Sequence, residues 1–166
     1  LALDGRVVAT GSGGTRREIE AEDLFVSLFT TSLEPDEVLT EVRIPSMAPD
    51  CGYAVEEFSR RKGDFAIVGI AAVVRLAAGK CVHARIVAAG VGSGPIRLRA
   101  TEDALVRDGL DEQAIRSAAA GAALEVDPPA DLNASSDYRK HLVSVLVRRA
   151  VERAASVAVR RQQGAT

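Results

Sequence analysis

Between Glu56 and Arg75 the chain reads EEFSRRKGDFAIVGIAAVVR, and no other stretch constrains the fold as much. It opens with charge at Glu56, Glu57, Arg60, Arg61 and Lys62, turns at Gly63-Asp64, and is then almost wholly apolar from Phe65 to Val74. Gly-Asp between two extended-looking runs is a turn signal. The run after it is rich in Val, Ile and small residues, which predicts a strand buried on both faces. Charge gathered at the mouth of a buried strand marks a loop that a scaffold can present to a ligand. A solvated hairpin end is the plain alternative.

Strands are expected on both sides of this one. Tyr53–Arg61 and Cys81–Ala89 would pair with it through short turns, the second at Gly79-Lys80, as an antiparallel meander. Gly90–Gly94, followed by Pro95, closes the sheet and calls for backbone angles that favour glycine. From Arg99 the hydrophobic period becomes helical. Helices are expected over Ala100–Arg107, about Asp111–Leu124 with Asp111 as N-cap, and Asp137 to about Arg161 after the loop Asp127–Ser136. In the last helix Leu142, Val145, Leu146, Ala150, Val151, Ala154 and Val157 fall at helical spacing, and Arg148, Arg149, Arg153, Arg160 and Arg161 make a solvated face. The final Gln-Gln-Gly-Ala-Thr is expected to fray.

Upstream, residues 1–10 predict a strand with a turn at Asp4-Gly5. Gly11–Gly14 is a flexible turn, Arg16–Glu20 a short exposed strand, and Ala21–Val26 one helical turn. Glu37–Ile44 alternates Val38, Thr40, Val42 and Ile44 against Glu37, Leu39, Glu41 and Arg43, the period of a half-buried strand. Pro45–Gly52 reads as a linker, because two prolines and a glycine interrupt regular structure. Strands followed by helices give an α+β fold, a small antiparallel sheet of about three strands packed against a three-helix C-terminal bundle.

The chemistry on offer is sparse. His83 and His141 are the only histidines of the 166 residues, and neither has a Cys or Asp at triad or metal-ligand spacing. Cys51 and Cys81 are too few and too far apart for a zinc or iron–sulfur signature and read as reduced thiols of a cytoplasmic protein. Aromatics are 4% of the chain and the net charge is −2, which weighs against a nucleic-acid partner. No run of about 18 apolar residues predicts a membrane span. There is no signal peptide, and the start at Leu1-Ala2-Leu3 fits a processed chain or a fragment. Gly11-Ser12-Gly13-Gly14 lacks the Lys-Ser/Thr ending of a phosphate-cradling loop. Asp64, beside the arginine pair, is a candidate hydrogen-bond acceptor, and Tyr138 is a packing residue. With no convincing acid, base or nucleophile, the pattern suits a protein whose reactive group belongs to a cofactor.

The motif Phe58, Arg60-Arg61, Gly63-Asp64-Phe65-Ala66 resembles the FAD-binding medium subunit of molybdenum hydroxylases, the family of aerobic carbon monoxide dehydrogenase and xanthine dehydrogenase-type enzymes. Three further segments are similar to that family. Residues 24–45 resemble the close of its flavin domain. Residues 88–98, AAGVGSGPIRL, resemble its Gly-Val-Gly-x-x-Pro-x-Arg turn. Residues 131–151 resemble the segment in which Asp131, Ser135, Tyr138, Arg139 and Leu142 match Asp-x-x-x-Ser-x-x-Tyr-Arg-x-x-Leu. The four occur in order along essentially the whole chain. The family's two glycine-rich pyrophosphate loops are not in this sequence.

The resemblance implies the C-terminal part of such a subunit: residues 1–50 as the end of an incomplete α+β flavin domain, residues 51–166 as the flavoprotein C-terminal domain. It implies that electrons reach FAD from two [2Fe-2S] clusters on a small subunit, after substrate oxidation at a molybdenum cofactor on a large subunit. The companion chains would be those two subunits; the rest of the flavin domain would lie on a separate chain if the subunit is split, or on the same chain if this sequence is a truncated piece. The chain alone would be inactive. Phe65 would lie against the isoalloxazine ring, where relatives that oxidise carbon monoxide carry Tyr, with Asp64, Ala66, Arg60 and Arg61 as the local shell. A second reading stays open, a non-catalytic assembly domain that binds partner subunits without FAD.

Overall fold

A computed structural model describes residues 1–61 and 63–164. Lys62, one of the charges at the predicted turn, lies outside the described residues, as do Ala165 and Thr166. The chain divides into two compact units, the first over Leu3–Met47 and the second from Ala48 onward.

The first unit is a three-stranded antiparallel sheet with strand order β2-β1-β5. β1 (Arg6–Gly11) turns into β2 (Arg16–Glu20), and β5 (Glu37–Arg43) pairs with β1 on its other side. Between them lie the short helix α1 (Ala21–Leu24) and a small ladder of β3 (Phe25–Ser27) with β4 (Thr30–Thr31). The core is small: Val7, Ala9, Ile19 and Leu24, with Leu33 packed against them. The strand expected over Glu37–Ile44 is present, but it is not half-buried in the way its alternation predicts. A register shift at Val8/Ala9 sets Val42 opposite Val7 and Leu39 opposite Ala9, while Val38 faces Thr10. A bulge reverses the side-chain alternation beyond it, so the four alternating residues do not share one face. Val42 is 64% exposed although it lies across from buried Val7. Val38 and Ile44 are exposed as well.

The second unit holds a four-stranded antiparallel sheet, β6 (Cys51–Phe58), β7 (Val68–Ala77), β8 (Lys80–Ala89) and β9 (Ile96–Arg97), in that order. The meander is as expected, with β9 an addition too short to show a period. Its three helices are α2 (Arg99–Asp108), α3 (Glu112–Ala122) and α4 (Ser136–Gly164). Asp111 caps α3, its Oδ1 accepting from Ala114 N at 2.9 Å. Several strand boundaries differ from the sequence pattern: β1 begins only at Arg6, and β6 begins at Cys51, so the last two residues of the expected linker Pro45–Gly52 are strand, paired with Arg75 and Val74 of β7. β6 ends at Phe58 and β7 begins at Val68, because Ile67 N donates to Phe58 O at 2.7 Å and closes the intervening residues into a loop. Phe65 is therefore in the loop and not in the strand. α4 extends through Gly164, so Gln162 to Gly164 are helical where fraying was expected, with Gln162 Nε2 donating to Leu76 O at 2.7 Å.

One face of this sheet is covered by helix. Val68, Ile70, Ala72, Val74 and Leu76 of β7 join Ala84, Ile86 and Ala88 of β8 in a core with Val143, Val147, Ala150, Val151, Ala154 and Ala158 of α4. On the other face of β7, Gly69 and Ala71 are half-buried and Arg75 is exposed, so the strand is fully covered on one side only. The α4 stripe is also turned relative to the predicted one: Val143 and Val147 are buried while Val145 and Val157 are half-buried. Gly52 fixes how closely β6 approaches α4, since a Cβ there would lie 1.9 Å from Ala154 O. Buried Glu102 on α2 accepts from Ile86 N at 2.9 Å and pairs with Arg97, joining the helix to β8 and β9.

Candidate functional site

The loop between Phe58 and Ile67 is short, charged and pinned at its base. Gly63 takes a φ of +81°, a left-handed conformation that suits glycine. Asp64 N donates to Arg61 O at 3.2 Å, and Phe65 N donates to Asp64 Oδ1 at 2.9 Å, so the expected acceptor role of Asp64 is met by its own turn. Beyond that turn the Phe65 ring is 95% exposed. A phenyl ring held in water forgoes the burial that stabilises most aromatic side chains. Ala66 is half-buried beneath it, and Arg61 is exposed.

Two of the other segments singled out in the sequence, 88–98 and 131–151, converge on the base of this loop. Arg60 Nη2 donates to Asn133 O at 2.9 Å. The Phe58 ring meets the edge of Tyr138, with centroids 6.1 Å apart at 82°. Gly90, at φ +77°, lies so close that a Cβ on it would be 2.5 Å from Ile67 O. Arg139 reaches from α4 to the same place: Nη1 donates to Ile67 O at 2.5 Å and to Gly90 O at 2.9 Å, and Nη2 donates to Asp131 Oδ2 at 2.7 Å. Asp131 Oδ1 accepts from Asn133 N and Ala134 N. Those backbone amides, more than Arg139, hold its carboxyl down to about 2. Ser135 starts α4, its Oγ accepting from Tyr138 N at 3.2 Å. Each named residue of the 131–142 motif thus has a physical task, with Leu142 in the core.

Residue-by-residue reading missed Arg139, Asp131 and Gly90 as parts of this site. Arg139 carried one usable signal, a cation at the start of a helix, where the macrodipole disfavours positive charge. Leu132, 98% exposed beside Asn133, was also missed. The remaining candidates lie apart from the loop. Gly11–Gly14 is a hairpin turn in which three amides are already engaged: Gly11 N donates to Thr15 O, Gly14 N donates to Gly11 O, and Ser12 N and Oγ donate to the Asp36 carboxylate. A carboxylate in that position repels phosphate. Burial raises both thiols, Cys51 and Cys81, away from the reactive thiolate. Among the described residues no group of three or more His, Cys, Asp or Glu side chains could hold a metal ion, and no helix is long and apolar enough to cross a membrane.

Residues 53–154 match the family described as the CO dehydrogenase flavoprotein C-terminal domain. The chain is 39% identical over 155 residues to the 6-hydroxypseudooxynicotine dehydrogenase complex subunit alpha of Paenarthrobacter nicotinovorans, covering 93% of this chain and 52% of that protein. It is 37% identical over 145 residues to the carbon monoxide dehydrogenase medium chain of Afipia carboxidovorans, covering 87% and 50%. Among solved structures, carbon monoxide dehydrogenase from Hydrogenophaga pseudoflava lacking the Mo-pyranopterin moiety of its cofactor superimposes with a TM-score of 0.89 at 33% identity, over 93% of this chain and 54% of that one. The chain spans about half the length of the curated relatives it matches.

Proposed function

The chain belongs to the CO dehydrogenase flavoprotein C-terminal domain family, and from that premise we propose that it is the C-terminal part of the FAD subunit of a molybdenum hydroxylase, passing electrons from [2Fe-2S] clusters through FAD to an acceptor. Residues 1–50 are then the end of the FAD-binding domain and residues 51–166 the flavoprotein C-terminal domain. The observation that carries the reading is Phe65, an aromatic ring held almost fully in water on a loop held by Asn133, by Arg139 and by its own Ile67–Phe58 bond.

The residues of the loop fit one wall of a flavin site. A flat apolar ring facing outward covers a planar ligand and excludes water from it. The Gly63 turn and the Asp64–Phe65 bond orient that ring, Ala66 leaves room beside it, and Arg60 ties the loop to Asn133. Arg61 adds positive charge at the rim. A bound flavin supplies reversible acceptance and release of electrons, chemistry that no side chain here offers. The residues do not fit a pyrophosphate cradle, because the amides of Gly11, Ser12 and Gly14 are bonded within the protein and the Asp36 carboxylate stands at the turn.

The cradle would therefore come from the rest of the FAD domain, whether on a separate polypeptide or on a further part of the same one. The first unit supports this, since Val42, Ile44, Phe25, Val26 and Phe29 leave much apolar surface open beside a four-residue core. Apolar surface of this kind marks an interaction face. The molybdenum-binding large subunit and the iron–sulfur small subunit are the further partners, in a cytoplasmic complex. The test is the visible absorption spectrum of the chain alone and after co-expression with those polypeptides. Flavin bands on co-expression, weakened by Phe65→Ala, support the reading. Co-purification of partners without flavin would instead favour a non-catalytic assembly domain.

A further inference from the structure

Arg139 is an expensive residue to place where it stands. Only 6% of it is exposed, it sits in the opening turn of α4, and its Nε finds no hydrogen-bond partner among the described residues. The positive end of a helix dipole disfavours a cation there, burial disfavours it further, and one donor is left unsatisfied. Helix stability does not explain the choice, and a smaller apolar residue would fill the core without these penalties. The contacts do explain it. A guanidinium is a rigid planar fork with several donors, and this one grips three separate backbone segments at once. Ile67 O belongs to the exit of the Phe65 loop, Gly90 O to the turn after β8, and Asp131 to the segment that also receives Arg60 through Asn133. Gly90 leaves no room for adjustment at the contact, since even a Cβ would strike Ile67 O.

We propose that the Arg139–Asp131 pair is a positioning device, which fixes the Phe58–Ile67 loop so that Phe65 is presented in one orientation to whatever covers it. Arg139 touches neither Phe65 nor its ligand; it acts through the Ile67 carbonyl. This deepens the flavin reading and rests on it only for the identity of the covering group.

The loop carries its own reporter, because trypsin cleaves after Arg60 and Arg61, while the exposed Arg107 and Arg116 on α2 and α3 report on the rest of the unit. Limited proteolysis of the full chain would be followed for the native sequence, Arg139→Met and Arg139→Lys. Cleavage after Arg60 and Arg61 should accelerate about tenfold in Arg139→Met with no change at Arg107 or Arg116, and Arg139→Lys should fall between, since an ammonium keeps the charge but not the fork. Unchanged loop cleavage in both variants overturns the proposal. Equal acceleration at all four arginines also overturns it, because Arg139 would then be a general core residue. If Arg139→Met does not fold, Arg139→Lys and Asp131→Asn carry the same comparison. Flavin retention in the co-expressed complex supplies a second readout through the double variant with Phe65→Ala. Loss of flavin on Arg139→Lys that vanishes in the Phe65→Ala background shows that Arg139 acts through Phe65, and equal loss in both backgrounds contradicts it. Should Phe65→Ala leave flavin untouched, the flavin assignment falls while the proteolysis still decides the clamp.

Discussion

The two units of this chain solve the same problem in opposite ways. Each is built on an antiparallel sheet with an apolar side. The C-terminal unit covers one face with three helices and brings β6 and α4 into backbone contact at Gly52. The N-terminal unit has four buried apolar side chains, one short helix, and a second face of charge in which Arg43 pairs with Glu18 and Glu41, and Arg6 with Glu18 and Glu20. Exposed ion pairs of that kind add little stability, about 0 to 1 kcal/mol each. The contrast separates a unit that carries its own core from one that leaves apolar surface open.

The largest effects should fall in the self-sufficient unit. Glu102→Ala removes the buried partner of Arg97 and the acceptor of Ile86 N, and should cost about 3 to 5 kcal/mol in denaturant unfolding. Gly52→Ala forces a methyl into the α4 backbone and should cost about 1 to 3 kcal/mol or more. If either variant unfolds at the native midpoint, the close β6–α4 or α2–β8 packing is wrong. Phe65→Ala should leave unfolding unchanged yet reduce flavin affinity of the co-expressed complex about tenfold, the equivalent of about 1.4 kcal/mol. Val42→Asp with Ile44→Lys should shift the stability of the chain alone by no more than about 0.5 kcal/mol, as surface substitutions do, while abolishing recovery of a co-expressed remainder of the FAD domain. Large destabilisation there would make this face part of the unit's own core.

Acid sharpens the comparison further. Glu37 in the first unit and Asp131 in the second are both held down to about 2. A depressed carboxylate contributes stability that is complete above its unfolded value, about 4, and is lost as pH falls through the folded value. Both units should therefore weaken between about pH 4 and pH 2 in a hydrogen-exchange titration. The causes differ: Arg17 is the first for Glu37, backbone amides of Ala134 and Asn133 for Asp131. Molar salt should blunt the acid response of the first unit, where the ion pair with Arg17 is the leading cause, more than that of the second, where neutral backbone amides are.

Much of the fold was legible because its signals are local. The Asp111 cap, the glycine at Gly90 and the meander through Gly79 follow from short-range chemistry, and the order of strands then helices set the class. What was illegible depends on partners far away in the chain. The apolar run Phe65-Ala66-Ile67 continues into β7 without a break, so nothing local says that the Ile67–Phe58 bond excludes Phe65 from the strand. The bulge opposite Thr40 depends on β1, which is distant in sequence. Arg139 reads as one more helix arginine until Ile67 and Gly90 come beside it. Phe65 and Asp64 were singled out through their motif, whereas the groups that hold their loop were not.

The central claim is that this chain contributes the aromatic wall of a flavin site completed by the rest of the FAD domain. The most direct measurement is the visible absorption spectrum of the chain purified with the co-expressed rest of that domain, native and with Phe65→Ala. The account predicts flavin bands in the native complex, none from the chain alone, and a marked loss with Phe65→Ala. A complex that forms with no flavin, or one whose flavin is unaffected by Phe65→Ala, would contradict it.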